Sequence, residues 1–83
     1  MMRFMKEADV ILEEVATGTL HFYFFGNDTL GAACYNFRPH DPAESSIEYE
    51  PEEYLREEAQ DLMVSGRYLT LKKEVIHESS SIS

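Results

Sequence analysis

Apolar positions recur along this chain with two different periods, and the change of period marks its elements. Residues 19–37 (TLHFYFFGNDTLGAACYNF) are the most apolar stretch. Gly26-Asn27-Asp28-Thr29 lies between Phe25 and Leu30. Gly, Asn and Asp tolerate positive φ or bond their own backbone, so this is turn chemistry and the stretch predicts a β-hairpin. A two- or four-residue loop sets Phe25 opposite Leu30, Tyr23 opposite Ala32 and His21 opposite Cys34. One face then carries Leu20, Phe22, Phe24, Gly31, Ala33, Tyr35 and Phe37, apolar throughout, and is the expected core face. The other carries His21, Tyr23, Phe25, Leu30, Ala32, Cys34 and Asn36. It is too apolar for an ordinary solvated face, so another element or a partner chain should cover it.

The flanks follow the helical period. Phe4, Ala8, Ile11, Leu12 and Val15 fall at i, i+4, i+7, i+8 and i+11, which predicts a helix over 2–16 stopped by Gly18. A strand over 10–15 is the competing reading; the adjacent Glu13-Glu14 breaks its alternation. After the hairpin, Pro39 and Pro42 make a rigid connector, and 45–50 (SSIEYE) alternates as a short edge strand with Ile47 and Tyr49 on one side. Pro51 opens a second helix over 51–65, with Glu52 and Glu53 where the dipole favours anions. Its apolar stripe is Leu55, Ala59, Leu62 and Met63, and Gly66 is its stop. A last strand over 67–76 should point Leu69 and Leu71 inward and Tyr68, Thr70 and Lys72 outward. The order α-β-β-(β)-α-β predicts an α+β domain, two helices on one face of a three- to four-stranded, mainly antiparallel sheet. Residues 1–78 form a single domain and 79–83 a flexible polar tail.

Size changes this picture little: 83 residues make one small domain with a modest core. One cysteine excludes an internal disulfide and a cysteine zinc site. No apolar run approaches the length of a membrane helix, and no signal peptide is read, so the expected compartment is cytoplasmic.

Charge changes the picture more. The net charge is −9. Between Asp41 and Asp61 nine acids face Arg56 alone, which accounts for nearly all of it. Glu53, Glu57 and Asp61 fall at i, i+4 and i+8, a like-charge stripe that costs the helix roughly 0.2–0.5 kcal/mol per neighbouring pair. Solubility is one reason to carry it. The other is docking: carboxylates about 6 Å apart along a helix approximate the spacing of phosphates, so a basic nucleic-acid groove can accept them. Glu48, Tyr49, Glu50, Glu53, Tyr54, Glu57, Glu58 and Asp61 are the candidate partner-binding residues, with the two tyrosines as aromatic anchors. The same field repels nucleic acid itself.

Catalytic signals are sparse. His21 opposite Cys34, with Asn36 nearby, is the one nucleophile–base pairing, and it lacks a pocket and an oxyanion donor. His40, Asp41 and Glu44 make a nonspecific metal set. No catalytic residue, metal ligand or cofactor is assigned.

No motif places the chain in a family. In size and localised acidity it is similar to small phage and mobile-element proteins that block nucleic-acid-binding machinery, such as DNA mimics, anti-restriction and anti-CRISPR proteins. The leading expectation is therefore a non-enzymatic acidic inhibitor or regulator that docks on a basic protein. The second is a homodimeric, antitoxin-like regulator paired through His21, Tyr23, Phe25 and Cys34. The third is a minor Cys/His enzyme or metal-binding protein.

Overall fold

The computed structural model describes residues 8–26 and 32–73. Five strands and one helix follow in the order β1 (Val10–Glu14), β2 (Leu20–Phe24), β3 (Ala32–Phe37), β4 (Ser46–Glu50), α1 (Glu52–Val64) and β5 (Tyr68–Lys72), with a short 3-10 turn at Pro42–Glu44. The strands form one sheet in the spatial order β4-β3-β2-β1-β5, each neighbouring pair antiparallel. The α+β class holds, with one described helix in place of two. The expected segments 2–7, 27–31, 74–76 and 79–83 lie outside the described residues.

The first expected helix is a strand where it is described. Val10, Ile11 and Leu12 form an apolar run, and such a run fits a strand buried on both faces as well as a helix. Pairing decides it: β1 lies between β2 and β5 and satisfies its backbone on both edges. Gly18 has the positive φ the sequence implies, +79°, but it closes a hairpin loop rather than a helix. Its N–H donates to the Glu14 carbonyl at 2.7 Å, and the Glu14 N–H donates to Thr19 O at 2.9 Å.

The β2–β3 hairpin forms in a register two residues from the expected one. Tyr23 pairs with Cys34, and His21 pairs with Asn36. A shift of two leaves every side chain on its expected face, whereas a shift of one would have exchanged the faces. β2 ends at Phe24. Beyond it the Phe25 N–H donates to the Asp9 carboxylate at 2.7 Å.

The cluster that packs against α1 lies on the opposite face from the one expected, although Phe22 and Ala33 of the expected face are buried too. Val10, Leu12, Tyr23, Ala32 and Cys34 pack with Leu55 and Ala59 of α1, and Phe25, Leu62, Met63 and Tyr68 close the margins. Ala32, Cys34 and Ala59 are small, which lets the helix approach the sheet closely. The face of Leu20, Phe22, Phe24, Ala33, Tyr35 and Phe37 has no described helix or strand on it. Ile11 and Glu13 of β1, Ile47 and Tyr49 of β4 and Leu69 of β5 share this second face by register.

The last strand is reversed in the same way. Tyr68 packs against the core, while Leu69 and Leu71 are exposed. A bulge between Ile11 and Leu12 in the β1–β5 ladder leaves Leu71 without a partner.

The helix supplies the crossover. β4 and β5 are parallel edge strands, and five strands at about 4.8 Å put roughly 19 Å between them. A 13-residue helix is about 20 Å long, enough to carry the chain from one edge of the sheet to the other. It starts after Pro51, carries Glu52 and Glu53 in its first turn and ends before Gly66 at φ +86°.

Candidate functional site

The outer side of α1 is built by its own periodicity. Leu55 and Ala59 are buried, and Leu62 and Met63 half-buried, so Glu53, Glu57, Gln60 and Asp61 face outward. Tyr54 is 56% exposed. With Glu53, Arg56, Glu57 and Gln60 it lines one shallow open depression, and with Glu57, Glu58, Asp61 and Leu62 an adjoining one. The helix thus presents an aromatic ring among four carboxylates.

Arg56, the base within this run, is turned to structural work. Its Nε donates to Glu52 Oε2 at 2.7 Å, and its guanidinium carbon lies 4.4 Å from the centre of the Phe25 ring. A cation over an aromatic face gains from the ring quadrupole. The stripe of Glu53, Glu57 and Asp61 therefore keeps its charge.

Tyr49 and Glu58 of the expected set are placed apart from the exposed stripe. Tyr49 pairs with Ala33 and lies on the face away from α1; Glu48 and Glu50 pair with Cys34 and Ala32 and lie on the helix face. The alternation of β4 splits the tyrosine from its acidic neighbours, so Tyr49 does not join Tyr54 in one patch. Glu58 is half-buried and accepts a hydrogen bond from the Tyr23 hydroxyl at 3.2 Å, which ties it to the sheet. The signal for that role was a tyrosine on a strand face beneath an acidic helix, legible only once the core face is known.

The expected dimer face is covered within the chain. Tyr23 and Cys34 are buried beneath α1, and His21 and Phe25 are half-buried at its margins. Pairing also separates His21 from Cys34 across the ladder. Burial, followed by the nearby charge of Glu58, pushes the Cys34 thiol up to about 12, the reverse of an activated nucleophile. Its S–H donates to Asn36 Oδ1 at 3.8 Å. Burial likewise raises Tyr23 above the ordinary tyrosine range. His21 is held below its ordinary value, chiefly by burial, against the opposing pull of Glu14 and Glu48. Among the described residues no three His, Cys, Asp or Glu side chains gather to hold a metal, so His40, Asp41 and Glu44 do not form the metal set considered above. No described helix is long and apolar enough to cross a membrane.

Family models, curated proteins and solved structures contain no match to this chain.

Proposed function

We propose that the chain is a non-enzymatic interaction module whose α1 docks on a basic, nucleic-acid-binding surface of a partner protein, in the manner of DNA mimics and phage anti-defence proteins. The observation that carries this reading is the outer side of α1. Glu53, Glu57 and Asp61 run in a line beside the exposed Tyr54, while Arg56 is engaged by Glu52 and Phe25. A helix that gains nothing locally from such a stripe keeps it for solubility or for a partner, and the exposed ring favours a partner. Glu50 and Glu48 extend the negative field along the edge strand. Complementary charge of this kind speeds association and is weakened by salt.

The test is capture from a native lysate with the wild-type chain and with the triple variant Glu53→Lys, Glu57→Lys, Asp61→Lys. Nucleic-acid-binding proteins held by the wild type, released by salt, displaced by duplex DNA and lost with the variant would support the reading. Equal capture by a variant of unchanged circular dichroism would overturn it.

A further inference from the structure

We propose that the outer edge of β4 takes up an extended segment of a partner protein as a further strand, and that the segment it fits alternates basic and apolar side chains. The inference is separate from the docking of α1, because it uses the main chain at the edge of the sheet rather than the side chains of the helix.

The first observation is the edge itself. β4 is the end strand of the sheet, with β3 on one side and, among the described residues, no strand beyond it. A strand paired on one side only directs a row of unpaired N–H and C=O groups outward. All of its residues are exposed, and α1 packs chiefly on β3, β1 and β5. The edge therefore meets solvent along its length.

The second observation is that this edge is a regular template and the opposite one is not. The β3–β4 ladder runs from Ala32 with Glu50 to Asn36 with Ser46 without a shift. On the other edge, the β5 ladder is broken by the bulge between Ile11 and Leu12. A bulge bends and twists an edge and so spoils its pairing with a further strand. Five residues at about 3.4 Å each give ~17 Å of straight edge. Peptides recognised by strand addition gain affinity from such main-chain hydrogen bonds and specificity from alternate side chains.

The third observation is side-chain chemistry, and it selects the occupant. Ile47, 45% exposed, and Tyr49, 54% exposed, project on one face of the edge, and Glu48 and Glu50 on the other. Among the described residues neither carboxylate is in an ion pair. In an added strand each side chain lies about 5 Å from the one opposite it. Positions facing Glu48 and Glu50 call for Lys or Arg, and those facing Ile47 and Tyr49 for apolar side chains. A second copy of β4 fits poorly. Paired antiparallel about its centre, it would set Glu48 against Glu48, and like charges directly opposite are destabilising.

The test is titration of the full chain, at physiological salt, with a peptide of alternating lysine and valine. A block peptide of the same composition, with all its lysines first, is the control. The alternating peptide should bind about tenfold more tightly than the block peptide, and hydrogen exchange should show new protection of backbone amides within 46–50. The double variant Glu48→Lys, Glu50→Lys should lose this preference and select a peptide of alternating glutamate and valine instead. Both carboxylates are exposed, so the fold should survive, as circular dichroism will show. The triple variant Glu53→Lys, Glu57→Lys, Asp61→Lys should keep the preference for alternation, which separates this outcome from docking through α1. Equal affinity for the alternating and block peptides, or binding of neither, would overturn the proposal. So would protection of every amide in 46–50 before peptide is added, which would put a second copy or another segment of this chain on the edge.

Discussion

The Tyr23 hydroxyl donates a hydrogen bond to Glu58 Oε2 at 3.2 Å and joins the middle of the sheet to the middle of α1. Tyr23 is 0% exposed, and a buried phenol needs an acceptor. The acceptor is one of the carboxylates that the sequence alone places in the acidic stripe. Glu58 thus fixes the helix over the core, while its neighbours Glu57 and Asp61 stay in solvent. Tyr23→Phe should lower stability by about 1.5–3 kcal/mol, the usual range for a hydrogen bond to a charged group. Urea denaturation of Tyr23→Phe, Glu58→Gln and the double variant should give a positive coupling. A coupling of zero would mean the contact contributes nothing.

Cys34 should be inert in the folded chain. Its thiol is buried and pushed up to about 12, so an aromatic disulfide reagent should react with it only as fast as the fold opens. The same shift makes stability depend on alkaline pH. The unfolded thiol ionises near 9, while the folded one stays protonated to about 12. The stabilisation is therefore complete below pH 9 and falls above it, by roughly 1.4 kcal/mol per pH unit for each such group. Cys34→Ala should flatten the fall between pH 9 and 10, before Tyr23 contributes. A slope identical to that of the wild type would refute the assignment.

His21 sets an opposite, acid-side dependence. Its Nδ1 is buried without a hydrogen-bond partner, and its ring lies edge-on to Tyr68 at 5.4 Å. Burial holds it below its ordinary value of 6.5. Above 6.5 it is neutral in both the folded and the unfolded chain, and the full stability is present. Below 6.5 the unfolded chain binds the proton first, so stability falls as pH falls toward the folded value. His21→Gln should remove this loss below pH 6.5, measured as the denaturation midpoint at each pH.

Gly18 closes the β1–β2 loop at φ +79°. A side chain there meets no backbone: an added Cβ would lie 3.8 Å from His40 Nε2. The cost of Gly18→Ala is therefore conformational, about 1–2 kcal/mol. Thermal denaturation should show a lower midpoint with an unchanged far-ultraviolet spectrum. A neutral result would show that the loop relaxes.

Leu55 is the residue by which α1 is seated, 0% exposed against Val10, Leu12, Tyr23 and Cys34. Leu55→Ala should cost about 2–5 kcal/mol, enough to unfold a large share of so small a domain. Val64→Ala, on the exposed end of the same helix, should change stability by under about 0.5 kcal/mol. Denaturation midpoints of the pair measure how far the helix depends on its buried stripe.

Local chemistry was enough for much of the fold and for the charge of the candidate site. Pro51, the stripe of Leu55, Ala59, Leu62 and Met63, and Gly66 specify α1 almost to the residue, because each acts within one helical turn. Alternation specifies β2, β3, β4 and β5 and which of their residues share a face, because the side-chain period of a strand is fixed at two. The acidic stripe was legible for the same reason. Tertiary structure decided what depends on distant partners. Val10–Glu14 became a strand because β2 and β5 flank it on both edges. The side of the sheet that became core could not be read from the hairpin, since both its faces are apolar. It was set by where α1 crosses between β4 and β5 and by the small residues Ala32 and Cys34 that receive it. That one choice took Tyr49 away from Tyr54, gave Glu58 to Tyr23, and put Phe24, Tyr35 and Phe37 on the face away from α1.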